Sequence, residues 1–267
     1  MTDTSAPSLD VGLAIRDGWQ AFCRAPWPFV GFIVITGILS QLATLIPGIG
    51  LLVSVVINLW GGVGLIRGSW IALEGRDLRF ADLTGWNGGA VLRLFTRQLV
   101  LGLLVSLIAL VTITLAFVAT GGPAMVLELV DKLVAMTPDQ ELMTEELQSA
   151  GSILAVRLLT SPVAGLSFLI GGLLLLYLQV NQSFLGLIAL LEGRGPISTI
   201  QRGRSVVDGQ WWQVLGLLIM QGLILFIGFV LVVVGLLAAV PLTICINGAA
   251  YRQLFGTEDQ AGLLNGQ

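Results

Sequence analysis

Arg67 stands within the run 49–73, where every other side chain is apolar, glycine, serine or asparagine. A charge inside such a run is costly and by default implies a partner or a ligand. The carboxylates that could pair with it are Glu74, which ends the same run, and Glu192, which ends another. A structural alternative is snorkelling, because Arg67 lies only about two turns from the run's end and its long stem can carry the charge outward. The remaining polar groups inside apolar runs are amides: Asn58, Asn181, Gln182, Gln221 and Asn247. Amides there can line a solute path or hold a lipid headgroup; more often they hydrogen-bond between helices, at about 1 kcal/mol or less each. At the run boundaries sit Glu74, Glu192, Arg194, Arg202 and Arg204. Arginines at a membrane face can attract anionic headgroups, at about 1 kcal/mol apiece.

Catalytic chemistry is not written here. The 267 residues contain no histidine, and Lys132 is the one lysine. There is no G-x-S-x-G, no C-x-x-C and no pair of carboxylates within an apolar run. The expectation is a protein that is not an enzyme, with no catalytic, cofactor-binding or metal-ligating residues. Cys23 and Cys245 read as two small buried hydrophobes. No basic block of the kind that binds nucleic acid is present.

The elements that must position these residues are membrane spans. Apolar residues make up 55% of the chain and charged ones 11%, with mean hydropathy +0.93; soluble domains carry roughly 25% charged residues. The apolar runs predict six spans, at about 29–46, 49–73, 98–119, 166–191, 213–234 and 236–251. Residues 9–24 read as an amphipathic helix lying on the membrane surface, and 77–96 and 195–212 as two further interfacial stretches. Residues 123–150 form an acidic excursion with a short helix at 125–135 and a helix start at Thr137-Pro138-Asp139-Gln140. Residues 256–267 read as a mobile polar tail.

In the six-span arrangement ten arginines fall on one face, namely Arg16, Arg24, Arg76, Arg79, Arg93, Arg97, Arg194, Arg202, Arg204 and Arg252. The acidic excursion falls on the other with Lys132 and Arg157. The positive-inside rule then predicts that both termini are cytoplasmic. Trp19, Trp27, Trp86, Trp211 and Trp212 read as interface anchors.

The interfacial-helix-then-hairpin grammar occurs three times. Residues 14–32 lie without gaps on 199–217, matching Ile15 with Ile200, Gly18 with Gly203, Trp27 with Trp212 and Gly31 with Gly216. The middle unit matches Gly89 and Gly102 at the same separation, and the exits read ALEGR at 72–76 and LLEGR at 190–194. Asn181 and Asn247 each precede a glutamate, Glu192 and Glu258, by eleven positions. The fold expected is therefore an all-α integral membrane domain over 1–267. Its six helices form three parallel repeats of interfacial helix plus two-span hairpin, at about 9–76, 77–194 and 195–255.

The stretch 190–216, LLEGRGPISTIQRGRSVVDGQWWQVLG, resembles the membrane domain of bacterial glycerophosphoryl diester phosphodiesterases and related bacterial polytopic membrane proteins. Leu191-Glu192-Gly193, Thr199, Gly203, Val206, Gly209, Trp212 and Gly216 carry the likeness. Gly203 replaces the pattern's serine and Arg204 its tryptophan. The resemblance implies a membrane architecture in a bacterial cytoplasmic or related internal membrane, and no activity, since the catalytic barrel of those enzymes has no counterpart here. The functional expectation is a non-enzymatic multi-pass protein of membrane organisation, scaffolding or lipid association. Its partners would be the lipid bilayer, anionic headgroups and a membrane protein partner, with no nucleic acid. The alternative is a transporter or channel for a small solute or lipid.

Overall fold

A computed structural model of the chain describes residues 8–135 and 140–264, and the described residues are helical with short links. In chain order the helices are α1 (Val11–Arg24), α2 (Pro26–Thr44), α3 (Gly50–Leu73), α4 (Phe80–Thr84), α5 (Gly88–Ala119), α6 (Gly122–Ala135), α7 (Gln140–Thr160), α8 (Pro162–Asn181), α9 (Leu185–Leu191), α10 (Pro196–Val207), α11 (Trp211–Val230) and α12 (Val232–Phe255). Among the described residues, six helical stretches are long and apolar enough to cross a membrane: Pro26–Thr44, Gly50–Leu73, Gly88–Ala119, Pro162–Leu191, Pro196–Val230 and Gly235–Phe255. The proposed helix start at Thr137 lies outside the described residues.

The chain forms two compact units, Met1–Leu101 with Val180–Gln267, and Gly102–Gln179. In the first, α3 and α12 are the inner helices. Half of the most apolar α12 window is buried, against 22% for α2. Close approach rests on glycines. A Cβ on Gly18 of α1 would sit 2.5 Å from the Ile246 Cα of α12, and one on Gly64 of α3 would collide with the Leu83 carbonyl and the Phe32 ring. Gly64 and Gly68 therefore form an internal groove of α3, filled by the wholly buried Leu83, Phe29 and Phe32.

Helix α1 begins where the Asp10 carboxylate accepts the Leu13 N–H at 2.9 Å. Its buried face is Ala14, Gly18, Ala21 and Phe22, pressed on α12, while Trp19 is exposed. Small residues put this helix against protein and leave the large ones outside. Cys23 is exposed, a correction to its expected burial, because it lies on the side of α1 turned from α12; Cys245 is buried.

The stretch 77–96 is not one interfacial segment. It splits into the five-residue α4 and the first turns of α5, which continues unbroken to Ala119. The division falls at Asn87, whose side chain accepts the Ala90 N–H at 2.9 Å and so caps the new helix. Asn87→Ala is expected to destabilise the protein by about 1 kcal/mol, read as a small drop in thermal midpoint in detergent.

A second difference lies in the fourth span, which breaks between Asn181 and Leu185 before resuming as α9. The polar tail is also docked over its described part, through residue 264, where the sequence predicts a mobile segment. Leu263 is fully buried, the Ala261 N–H reaches the Leu191 carbonyl at 2.8 Å, and Asp259 accepts the N–H groups of Leu263 and Leu264 at 2.9 and 2.8 Å. Two leucines in an otherwise polar tail find apolar surface, and Asp259 closes the turn that aims them.

In the second unit Gly121 turns the chain with φ +74°, and α6 and α7 pack together. Lys132 pairs with Glu128 at 3.3 Å across one turn, an exposed pair of small value. A Cβ on Gly171 of α8 would collide with Thr112 of α5, so these two helices touch through a glycine. The acidic excursion is thus helical on both sides of residues 136–139.

Candidate functional site

The ends of α3, α9 and α12 meet in the first unit around an aromatic cluster. Tyr251 and Phe255, one turn apart on α12, stack in parallel with ring centres 4.6 Å apart. Trp70 of α3 meets Tyr251 edge-on at 5.9 Å, and Phe184, just before α9, meets Phe255 at 5.7 Å. The Arg202 guanidinium lies 5.5 Å from the centre of the Phe255 ring, and that of Arg252 5.6 Å from the centre of Trp70. Such cation–aromatic contacts hold cations over apolar surface.

Glu192 anchors this cluster. It caps the end of α9, and its side chain is only 7% exposed. It pairs with Arg194 two residues on, lies 3.5 Å from Arg202 Nε, and accepts the Tyr251 hydroxyl at 3.4 Å. Its counterpart Glu74 is exposed and pairs with Arg76 at 2.8 Å. In both places a glycine with positive φ, Gly193 or Gly75, folds the arginine back on the glutamate.

Arg67 meets neither expected partner. It is 5% exposed, and its Nη1 donates to the Gly85 carbonyl at 3.0 Å. Trp60 Nε1 donates to the neighbouring Thr84 carbonyl at 3.2 Å. These two donors serve carbonyls that the end of a short helix leaves open, and so tie α4 onto α3. Arg67 Nε and Nη2 have no hydrogen-bond partner among the described residues. Glu74 and Glu192 are committed to the arginines beside them, and the turn after α4 takes the place the sequence assigned to a carboxylate. Arg67 also lines a cavity of about 260 Å³ with Arg76, Asp77, Arg79, Asp82 and Leu264.

The amides Asn181, Gln182 and Asn247 gather at the break between α8 and α9. Asn247 donates to the Ser183 carbonyl at 3.0 Å, Gln182 to the Ile200 carbonyl at 3.1 Å, and Asn181 to the Asp208 carboxylate at 3.1 Å. The broken turn exposes the Ser183 carbonyl, which Asn247 meets, while its own amides Asn181 and Gln182 reach across to Asp208 and to α10. Their oxygens, Asn181 Oδ1, Gln182 Oε1 and Asn247 Oδ1, are buried without a partner among the described residues. Asn58 lies apart and exposed, bonded to Ser40 Oγ at 2.9 Å and to the Ser54 carbonyl at 2.8 Å between α2 and α3. Arg204 is exposed and pairs with Asp208 at 3.3 Å, one turn on.

The structure therefore joins Glu192, Arg194 and Arg202, gathers Asn181, Gln182 and Asn247 with Arg204 linked to Asn181 through Asp208, and leaves Arg67, Glu74 and Asn58 elsewhere. Sequence reasoning missed Trp70, Tyr251 and Phe255; the one-turn spacing of Tyr251 and Phe255 beside Arg252 was the available signal. It also counted Arg76 and Arg79 for topology alone, although Arg76, Asp77, Arg79 and Asp82 place four charges within seven residues.

No protein-family description matches this chain, and comparison with curated proteins and with solved structures finds no match.

Proposed function

We propose that this is a non-enzymatic, multi-pass protein of a bacterial cytoplasmic membrane, both termini cytoplasmic, which organises the membrane by holding anionic lipid at an arginine-bearing collar. The observation that carries the reading is the joining of these arginines to one set of helix ends. Arg24 donates to the Ala72 carbonyl at the end of α3 at 3.0 Å, Arg252 lies over Trp70, and Arg194 and Arg202 pair with Glu192. Cations held at one end of apolar spans are placed where headgroup phosphates lie. The six apolar helices and the arginine distribution support the orientation.

The collar reading includes the threefold repeat. In its support, each interfacial helix rests on the second span of the hairpin before it: α4 on α3, α10 on α9, and α1 on α12, which closes the circle. The matched glycines Gly18 and Gly203 both sit at close helix contacts: a Cβ on Gly18 would meet Ile246 of α12, and a Cβ on Gly203 would sit 2.8 Å from the Asn181 carbonyl oxygen at the end of α8. The likeness to phosphodiesterase membrane domains adds a scaffold role beside a separate hydrolase as a further part of this proposal.

Extraction into native lipid nanodiscs with mass spectrometry tests it. Anionic lipid enriched over the bulk membrane is the expected result. A co-purifying small solute, with lipid at bulk composition, would reject it.

One observation favours a transporter instead. The α8–α9 break with unpartnered amide oxygens has the form of the discontinuous helices that hold ions and substrates in transporters. Asn181→Leu with Asn247→Leu discriminates the two. The collar reading predicts a modest loss of stability and no change in any vesicle flux. A stable double variant that abolishes a wild-type flux would establish transport.

A further inference from the structure

We infer that the cavity beside Arg67 is a binding site for a phosphate ester headgroup that carries hydrogen-bond donors next to its phosphate. The inference rests on the lipid-holding reading and names the site and the chemistry it selects. At about 260 Å³ the cavity holds roughly eight or nine water volumes at about 30 Å³ each, enough for a phosphate with a short polar substituent.

Its wall is unusual for a membrane-embedded helix end. Arg67 is nearly sealed from solvent and spends one of its N–H groups on Gly85, while Nε and Nη2 find no acceptor among the described residues. An unpaired buried cation carries a desolvation cost that a nearby anion removes. No carboxylate forms an ion pair with Arg67 among the described residues; Asp82 and Asp259, whose charges reach it, are engaged by backbone N–H groups, Asp82 by Arg79 at 2.8 Å and Asp259 by Leu263 and Leu264 at 2.9 and 2.8 Å. Arg76 and Arg79, both exposed, add two cations at the rim. Three arginines thus border one small volume, Arg76 paired with Glu74 at 2.8 Å, and guanidinium groups match the oxygens of a phosphate.

Asp77 and Asp82 line the same cavity. Two carboxylates make a simple dianion a poor occupant, but they accept hydrogen bonds from hydroxyl or ammonium groups beside the phosphate. A glycerol or ethanolamine headgroup offers such donors. The trimethylammonium of choline offers none. The site thus distinguishes headgroups by their donors as well as by charge, and Leu264 and Ile71 supply an apolar edge for the ester.

The test is titration of the full-length protein in detergent with short-chain phosphatidylglycerol, phosphatidylcholine and inorganic phosphate, read by native mass spectrometry. Because Arg67 also holds α4, the variant used is Arg76→Gln with Arg79→Gln, which alters exposed side chains and gives up only the exposed Arg76–Glu74 pair. Phosphatidylglycerol is expected to bind the wild type at least tenfold more tightly than phosphatidylcholine, and the double variant at least tenfold more weakly. Asp77→Asn is expected to narrow the gap between the two lipids. Millimolar phosphate is expected not to displace the lipid; displacement would show the phosphate group alone to be sufficient and overturn the need for donors beside it. Equal retention of phosphatidylglycerol by wild type and double variant would overturn the site while leaving the lipid-holding reading intact. No retention of anionic lipid by the wild type would overturn both.

Discussion

Gly18→Leu is expected to undock α1 from α12 and to cost about 3 kcal/mol, at the upper end of overpacking effects. At this position a Cβ would meet backbone, with Ile246 Cα at 2.5 Å and Ile246 N at 2.6 Å. Backbone cannot rotate aside as a side chain can, so the two helices must separate. Separation would uncover Ala14, Ala21 and Phe22 on α1 together with the α12 surface beneath them. The measurements are thermal midpoint in detergent and limited proteolysis, which should cut within α1 in the variant and not in the wild type. Gly203→Leu should behave alike, since its Cβ would meet the Asn181 carbonyl oxygen at 2.8 Å. Gly216→Leu is the control: nothing lies within 4 Å of a Cβ there, and the variant should match the wild type. An intact α1 and an unchanged midpoint in Gly18→Leu would show that α1 does not pack on α12 through Gly18.

Glu192→Leu has the second largest expected effect, about 2 kcal/mol. Losing the carboxylate leaves the Tyr251 hydroxyl, on a residue only 2% exposed, without its acceptor, and frees Arg194 and Arg202 beside the aromatic cluster. Breaking a fully buried pair costs about 3–5 kcal/mol, but the side chains of Arg194 and Arg202 keep 46% and 37% of their exposure, so water compensates part of the loss. Glu192→Gln keeps an oxygen for Tyr251 and removes the charge, and should cost about 1 kcal/mol. A double-mutant cycle with Arg202→Gln measures the ionic share. If Glu192→Leu were as stable as the wild type, Glu192 would not hold the helix ends together.

Several features were legible in the linear sequence. The number of spans follows from the lengths of apolar runs, because hydrocarbon thickness sets how many helical residues a crossing needs. The breaks at Pro26, Pro47-Gly48, Ser161-Pro162 and Gly121-Gly122 were equally legible, since proline and glycine act on the backbone locally. The short helix expected at 125–135 is there as α6, at Gly122–Ala135. The glycine matches of the repeat were visible too, although sequence could not tell the tightly packed Gly18 and Gly203 from Gly31 and Gly216, which have room around them.

What only the tertiary structure decided is what each polar group meets. The break at 182–184 falls at the polar stretch 179–183 inside the run 166–191, which hydropathy reads as one span. It is satisfied by Asn247, 64 residues away from Ser183, and by the Ile200 carbonyl, 18 residues from Gln182. Arg67 reaches a carbonyl 18 residues on, and the carboxylates assigned to it by sequence pair with adjacent arginines. The tail docks because Leu263 finds a pocket that exists only once α9 and its neighbours are assembled. Hydropathy is a property of consecutive residues, and so the spans could be read along the chain. A hydrogen bond or a filled cavity is a property of residues that folding brings together, and no spacing along the chain encodes it.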